Sequence, residues 1–146
     1  MDDMLLVAEE LSKEYKKVKA VDSVNLHIKK GTIYGLIGKN GAGKTTIMKM
    51  ITGMATPSSG SFTYSGFEGD KRDAYSRIGA LIEAPALLPN LSAYDNIKLK
   101  CLAYGIGDDA YIMDKLKLVG LDGVAKRKAG KFSLGMKQRL GIGIAL

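Results

Sequence analysis

One short segment of the sequence has the residue types and the spacing needed to hold a phosphate chain. Residues 38–45 read Gly-Lys-Asn-Gly-Ala-Gly-Lys-Thr and match the pattern G-x-x-x-x-G-K-S/T at every fixed position. Glycines let backbone N–H groups converge on phosphate oxygens, and a helix beginning at Lys44 directs its positive end at the same anion. Lys44 is expected to reach the outer phosphates, and the Thr45 hydroxyl is expected to ligate Mg²⁺. The predicted residues of this ATP and Mg²⁺ site are Gly38, Asn40, Gly41, Ala42, Gly43, Lys44, Thr45 and Thr46.

The elements around this segment follow the order expected of an α/β protein. The apolar run 32–37 indicates a buried strand directly before the glycines, and a helix is predicted from Lys44 to Gly53. Residues 24–28 alternate apolar and polar side chains, which points His27 away from the core and gives it no chemical role. Further strands are predicted at 4–11, 23–28, 61–64 and 78–82, a turn at 57–60, and helices from Ser92, over 108–119 and from Ser133 onward. The sequence therefore predicts an α/β fold with a helical insertion.

Composition indicates a folded protein and leaves the meaning of its charge open. Apolar residues make up 46% of the chain, and 22 Lys and Arg against 15 Asp and Glu give a net charge of +7. The basic residues lie in small groups without interleaved aromatic residues, so we expect a solvated surface and no nucleic-acid partner. The single cysteine, Cys101, is expected to be packed in a helix. The acidic start, the absence of a secretory signal and the shortness of the apolar runs together favour a cytoplasmic location.

A second segment narrows the class of phosphate-binding protein. Residues 132–140 read Phe-Ser-Leu-Gly-Met-Lys-Gln-Arg-Leu. They resemble the signature motif of ATP-binding cassette (ABC) ATPases, usually Leu-Ser-Gly-Gly-Gln followed by Gln-Arg. Ser133 and Gly135 hold the two most characteristic places, whereas Leu134 and Met136 replace a glycine and the glutamine. This form is similar to the bacitracin- and lantibiotic-resistance branch of ABC exporters. The residues alone predict that Ser133 caps a helix whose first N–H groups form a second anion site.

The resemblance implies a role for each matching position. Ser133 and Gly135 would bind the γ-phosphate of the ATP held by the opposite subunit of a head-to-tail dimer. Tyr15 matches the aromatic residue that stacks on adenine, with an aromatic core residue as the rival interpretation. Glu83 occupies the place of the Q-loop glutamine and would approach Mg²⁺ or its waters, unless it is a plain loop carboxylate. The following loop, 84–91, would face a membrane-spanning permease subunit, which implies a peripheral location on the inner face of the cell membrane.

The resemblance also implies a fold, and it implies how much of a nucleotide-binding domain this sequence covers. It implies a P-loop NTPase core with an antiparallel β portion over 1–82, followed by a Q-loop region, helical subdomain and signature helix over 83–146. In the family a Walker B Asp-Glu pair and a switch histidine come after the signature helix. No Asp or Glu follows Asp122 in this sequence, and the one histidine is His27. We therefore expect a partial nucleotide-binding domain, truncated before Walker B, that holds no catalytic residue, binds nucleotide weakly and hydrolyses ATP poorly by itself.

Three functions are compatible with these motifs. The leading one is the ATPase subunit of an ABC exporter for a substrate such as a peptide antibiotic. A soluble ABC protein of DNA repair or translation would use the same ATP clamp, but those proteins carry long coiled-coil or linker insertions. An unrelated P-loop kinase would leave residues 133–136 without an explanation. The transported substrate is not readable from this sequence, because in the family the membrane subunits determine it.

Overall fold

The computed structural model describes residues 3–65 and 71–146, which form two compact units. The first, called here the N-terminal unit, extends to Ile78, and the second, the C-terminal unit, runs from Gly79 to Leu146. In the part of the N-terminal unit that the structure describes there are a sheet and two helices, whereas the C-terminal unit is helical. The fold is thus mixed α/β, as predicted, with the strands preceding the helical part.

The sheet of the N-terminal unit is antiparallel and has the strand order β2-β1-β3. Strand β1 is Met4–Tyr15, β2 is Val18–Lys29 and β3 is Ser59–Tyr64. All three strands were expected, and the first two are longer than the apolar alternation alone indicated. The exposed side chain of His27 confirms its outward orientation on β2.

Helix α1, Lys44–Ile51, packs on the inner face of this sheet. It buries Ile47 and Met50, which lie almost one turn apart and therefore share a face. They join sheet residues including Leu11 and Phe62 in one core, with Phe62 only 2% exposed. A short helix, α2 (Lys71–Tyr75), follows β3. The first predicted helix is thus confirmed in type and starting residue, and the packing fixes α1 against the sheet.

Two predicted strands are wrong. Residues 32–37 and 78–82 have no strand structure, and Ile33 and Ile37 are 103% and 95% exposed. A strand exists only where a neighbour satisfies its backbone N–H and C=O groups. Over residues 3–65 and 71–146, the ladders join β1 to β2 and β1 to β3, and neither apolar run has such a neighbour. Both runs are apolar in sequence, but apolar residues do not by themselves supply a pairing strand. Residues 32–37, which were expected to be buried, are almost all exposed.

The C-terminal unit is built from three helices that enclose a second core. They are α3 (Ala93–Ala103), α4 (Asp109–Leu118) and α5 (Leu134–Ala145), with short 3-10 turns at Asp122–Val124 and Ala129–Lys131. Ile97, Leu116 and Leu140 contribute one buried side chain from each helix. Cys101 is also in this core, which confirms that it is packed. Among the described residues, no helix is both long and apolar enough to cross a bilayer.

Side chains define where these helices begin. Ser92 caps α3, with its hydroxyl accepting from the Asp95 backbone N–H at 3.0 Å, and the Asp95 carboxylate completes a capping box. Asp108 caps α4 in the same manner, accepting from Ala110 N–H at 2.8 Å. Both starts agree with the sequence prediction, because a capping side chain and its partner lie within three residues of each other.

Residues 79–85 lie against α5 at two places where a side chain would not fit. A Cβ on Gly79 would stand 2.0 Å from the Ala145 carbonyl oxygen, and one on Gly141 would stand 2.6 Å from Pro85 Cβ. Helix positions 141 and 145 are four residues apart and therefore on one face. The segment that contains Glu83 is thus packed directly on the helix that Ser133 begins.

A polar contact links the first turns of α3 and α4 and carries a pH-dependent prediction. The Tyr94 hydroxyl donates to Asp109 Oδ1, and Lys98 Nζ lies 3.7 Å from the same oxygen. The Tyr94 hydrogen bond, followed by the Lys98 charge, lowers the pKa of Asp109 below its usual 3.8, while this contact raises the pKa of Tyr94 to about 12. A carboxyl group with a lowered pKa stabilises the fold above its unfolded pKa, and this contribution disappears as the pH falls.

In a Tyr94→Phe variant we therefore expect the pKa of Asp109 to rise toward its usual value, because its hydrogen-bond donor is gone. Carboxyl chemical shifts followed by NMR from pH 2 to 6, a range of about two units on either side of the usual pKa, would measure the change. Tyr104→Phe is the matched control, since Tyr104 pairs with Lys100 and not with Asp109. An unchanged Asp109 titration would contradict the assigned cause.

Candidate phosphate and base site

The glycine-rich loop closes around the ammonium group of Lys44. Lys44 Nζ donates to the Gly38 carbonyl at 2.6 Å and to the Lys39 carbonyl at 2.8 Å, while Ala42 N–H turns back to Lys39 O at 3.1 Å. The lysine that the motif predicts to reach phosphate is therefore held inside the loop by backbone acceptors. An anion entering the loop would exchange these neutral acceptors for a charged one, which forms the stronger hydrogen bond.

The loop turns into α1 through a left-handed glycine. Gly43 has φ 86° and is the N-cap of α1, and no side chain makes a capping hydrogen bond there. Gly41 is also left-handed, with φ 84°. Thr45 and Thr46 stand partly buried in the first turn of the helix, whereas Asn40 is exposed. Helix α1 thus begins with a positive dipole end and N–H groups directed at the loop, as the motif requires.

The backbone of β2 lies directly against Gly43. A Cβ at Gly43 would stand 2.3 Å from the Ala20 carbonyl oxygen and 2.9 Å from Val21 Cγ2. Only a residue without a side chain allows β2 to approach the loop this closely. The sequence identified Gly43 as part of the motif but gave no indication that its partner would be β2.

Tyr15 lies at the turn end of the hairpin whose second strand contacts Gly43. Tyr15 pairs with Val18 across the tight end of the β1–β2 hairpin, two residues before Ala20. Tyr15 is 48% exposed and does not belong to the core. The rival interpretation of Tyr15 as a core residue is therefore not supported by its surroundings. The hairpin holds an exposed aromatic ring and the glycine loop on the same unit.

The N-terminus of α5 is open to solvent. The Ser133 hydroxyl accepts from Met136 N–H at 3.3 Å, which confirms the predicted cap. Ser133, Leu134 and Gly135 are all exposed, and Leu134 reaches 74%. The arrangement leaves the first backbone N–H groups of α5 accessible to an anion, as the signature resemblance implies.

Glu83 adopts an unusual backbone conformation. Its φ of 66° lies in the left-handed region, where residues with a side chain are uncommon. It belongs to the C-terminal unit together with Ser133 and Gly135, whereas Tyr15 and residues 38–46 belong to the N-terminal unit. The predicted residues therefore form two groups, each held by its own unit.

One neighbour of the site was missed from the sequence. Lys13 Nζ lies 5.1 Å from the centre of the Tyr15 ring. Residues two apart on a strand point to the same side, so the signal was present in the spacing of Lys13 and Tyr15. A lysine near an aromatic residue in a hairpin is common, so this spacing alone predicts no role for Lys13.

Comparison of the sequence with known proteins points to one family. The family model described as ABC transporter matches residues 21–146. A lantibiotic transport ATP-binding protein of Streptococcus pyogenes is 47% identical over 142 residues, covering 97% of this chain and 61% of that protein. A bacitracin transport ATP-binding protein of Bacillus licheniformis is 42% identical over 144 residues, covering 97% of this chain and 47% of that protein. The chain thus spans between about half and three-fifths of these relatives.

Solved structures give the same result. An ATP-binding cassette in a dimeric, post-hydrolysis state with ADP and Pi aligns with a TM-score of 0.82 at 25% identity, covering 97% of this chain and 69% of the other. The ATP-binding subunit of an ABC transporter aligns with a TM-score of 0.79 at 28% identity, covering 96% and 60%. The antiparallel sheet, the P-loop helix and the helical part all fall within these alignments.

Proposed function

Since this chain belongs to the ABC transporter family, we propose that it is the ATP-binding part of an exporter's ATPase subunit. The observation that carries the proposal is the Gly38–Thr45 loop closed around Lys44, with an exposed Tyr15 on the same unit. The relatives named for lantibiotic and bacitracin transport support a peptide antibiotic as the exported substrate.

Each group of residues has a separate task in this proposal. Tyr15 stacks on adenine, and Lys44 moves from its two carbonyl acceptors to the outer phosphates. The backbone N–H groups at the start of α1 bind the same phosphates. The exposed end of α5, with Ser133 and Gly135, completes the site of a second copy in a head-to-tail dimer. ATP is then shared between two subunits, and its binding brings them together.

The donor set suits a Mg²⁺ ion that arrives with the nucleotide. The described residues contain no group of three His, Cys, Asp or Glu side chains arranged to hold a metal. Mg²⁺ commonly keeps several waters and binds through phosphates with one or two protein oxygens. We propose the Thr45 hydroxyl as one such oxygen. When bound, the ion neutralises charge on the phosphates.

The proposed partners follow from the family. Loop 84–91 faces a membrane-spanning permease, and the protein lies at the inner face of the cell membrane by this contact. Residues 79–85 pack on α5 through Gly79 and Gly141, which supports transmission of motion from that loop to the Ser133 end. We further propose that a polypeptide limited to these 146 residues binds ATP but hydrolyses it slowly, because no Asp or Glu follows Asp122.

Calorimetric titration with Mg²⁺-ATP tests the binding proposal. We expect saturable binding that ADP and tripolyphosphate compete for and that AMP does not, because the loop recognises the outer phosphates. Steady-state turnover should stay far below the usual range of about 1–1000 s⁻¹. Absence of binding at millimolar ATP would contradict the proposed function, and equal competition by AMP would contradict recognition through the phosphates.

A further inference from the structure

The Tyr15 ring has a cation fixed on one of its faces. Lys13 Nζ lies 5.1 Å from the ring centre, inside the range of about 6 Å over which an ammonium group is attracted to an aromatic face. The same nitrogen donates to the Thr56 carbonyl at 2.6 Å. The ammonium group is therefore held between a backbone acceptor and the ring.

The backbone acceptor is itself tied to β1. Ser58 N–H donates to the Ser12 carbonyl at 2.9 Å, and Glu14 N–H donates to Ser58 Oγ at 3.0 Å. These bonds lie two residues from Thr56 along the chain and fix the segment beside the strand that carries Lys13 and Tyr15. A flexible lysine side chain loses less entropy on binding when its partners are already in place.

We propose that Lys13 is a positioning residue for the nucleotide base. It covers one face of the Tyr15 ring and restrains its rotation, so that a purine stacks on the opposite, exposed face. This inference rests on the proposed function, because it assigns a role to a neighbour of the base-stacking residue. The ligand class is a purine nucleoside triphosphate, and Lys13 acts on it through the ring and not by touching it.

Two physical consequences distinguish this role from simple charge attraction. Lys13 would contribute to binding only when both the base and the ring are present. A surface lysine that attracts phosphate would instead favour every polyphosphate, with or without a base. Tripolyphosphate, which lacks the base, separates the two cases.

The experiment compares ATP and tripolyphosphate binding to the full 146-residue chain by calorimetry. We expect Lys13→Met to weaken ATP binding about two- to fivefold, the range for an exposed cation–π contact, and to leave tripolyphosphate binding unchanged. Lys13→Arg should restore ATP binding, because a guanidinium also lies well over an aromatic face. Lys17→Met is the charge-matched control, since Lys17 is an exposed residue in the hairpin turn, and it should change neither affinity.

A double-mutant cycle provides the decisive readout. In a Tyr15→Leu background, Lys13→Met should have no further effect on ATP binding, because the ring through which it acts is absent. Lys13→Gln keeps an N–H donor for Thr56 without the charge and should weaken ATP binding as Lys13→Met does. It serves as the second variant if Lys13→Met fails to fold, with amide hydrogen exchange in β1 and β2 as the check on folding.

The outcomes separate this inference from the proposed function. ATP binding by the unmodified chain together with unchanged binding by Lys13→Met and Lys13→Gln would overturn the inference and leave the function intact. A full Lys13 effect in the Tyr15→Leu background, or an equal loss for tripolyphosphate, would also overturn it. If the unmodified chain binds neither ATP nor tripolyphosphate, both the inference about Lys13 and the proposed function are overturned.

Discussion

Replacing Lys44 with alanine is expected to lower the affinity for Mg²⁺-ATP by about 10- to 100-fold. A hydrogen bond to a charged group contributes about 1.5–3 kcal/mol, and about 1.4 kcal/mol corresponds to a factor of ten. Lys44 is the side chain that the loop encloses, and its ammonium group donates to the Gly38 and Lys39 carbonyls. Its removal takes away the cation that the outer phosphates would meet.

Lys39→Ala is the matched control for this loss. Lys39 lies in the same loop and its side chain is exposed, so the substitution removes the same charge from nearly the same place. It should change affinity by less than about threefold, because screened surface charges contribute little. Calorimetry on both variants would measure the difference. Equal losses would mean that net charge, and not the position of Lys44, governs binding.

Replacing Gly43 with alanine is expected to destabilise the N-terminal unit by about 2–5 kcal/mol. A left-handed conformation costs a residue with a Cβ about 1–2 kcal/mol, and inserting an atom into a packed site costs about 1–3 kcal/mol more. Both terms apply here, because φ is 86° and the added Cβ would stand 2.3 Å from the Ala20 carbonyl oxygen. The atom it meets is backbone of β2, which has little freedom to move.

Gly41→Ala separates strain from close contact. Gly41 has nearly the same φ, 84°, but nothing lies within 4 Å of its added Cβ. We therefore expect only the conformational cost of about 1–2 kcal/mol. Amide hydrogen exchange in β1 and β2 would measure the stability of this unit separately from the C-terminal unit. Equal destabilisation by the two substitutions would show that the approach of β2 to Gly43 is unimportant.

The sequence predicted those parts of the protein whose signals are local. A capping side chain and the backbone N–H that donates to it lie within three residues, so Ser92 and Ser133 predicted the starts of α3 and α5. The P-loop pattern fixed the start of α1 at Lys44 because its glycines and its helix are adjacent in the chain. The P-loop pattern and the second motif, residues 132–140, together indicated the family before any geometry was known.

The failures concern pairing between distant residues. The apolar runs 32–37 and 78–82 predict strands that the structure does not contain. A run of apolar residues does not say which other segment would supply its backbone hydrogen bonds. Strand pairing depends on contacts between residues far apart in the chain. A short stretch of consecutive residues contains no information about such contacts. The same limit hid the approach of β2 to Gly43 and the anchoring of Lys13 by Thr56.

By itself the sequence predicted Gly38–Thr45 as a phosphate-binding loop, because eight consecutive residues match the full motif and include the glycines that its turns require. Only the tertiary structure decided how that loop is held. It places Lys44 on two loop carbonyls, fits β2 against Gly43, and brings a lysine and an exposed ring to the end of the same hairpin. These arrangements follow from side-chain size and backbone direction across the fold, which no short motif encodes.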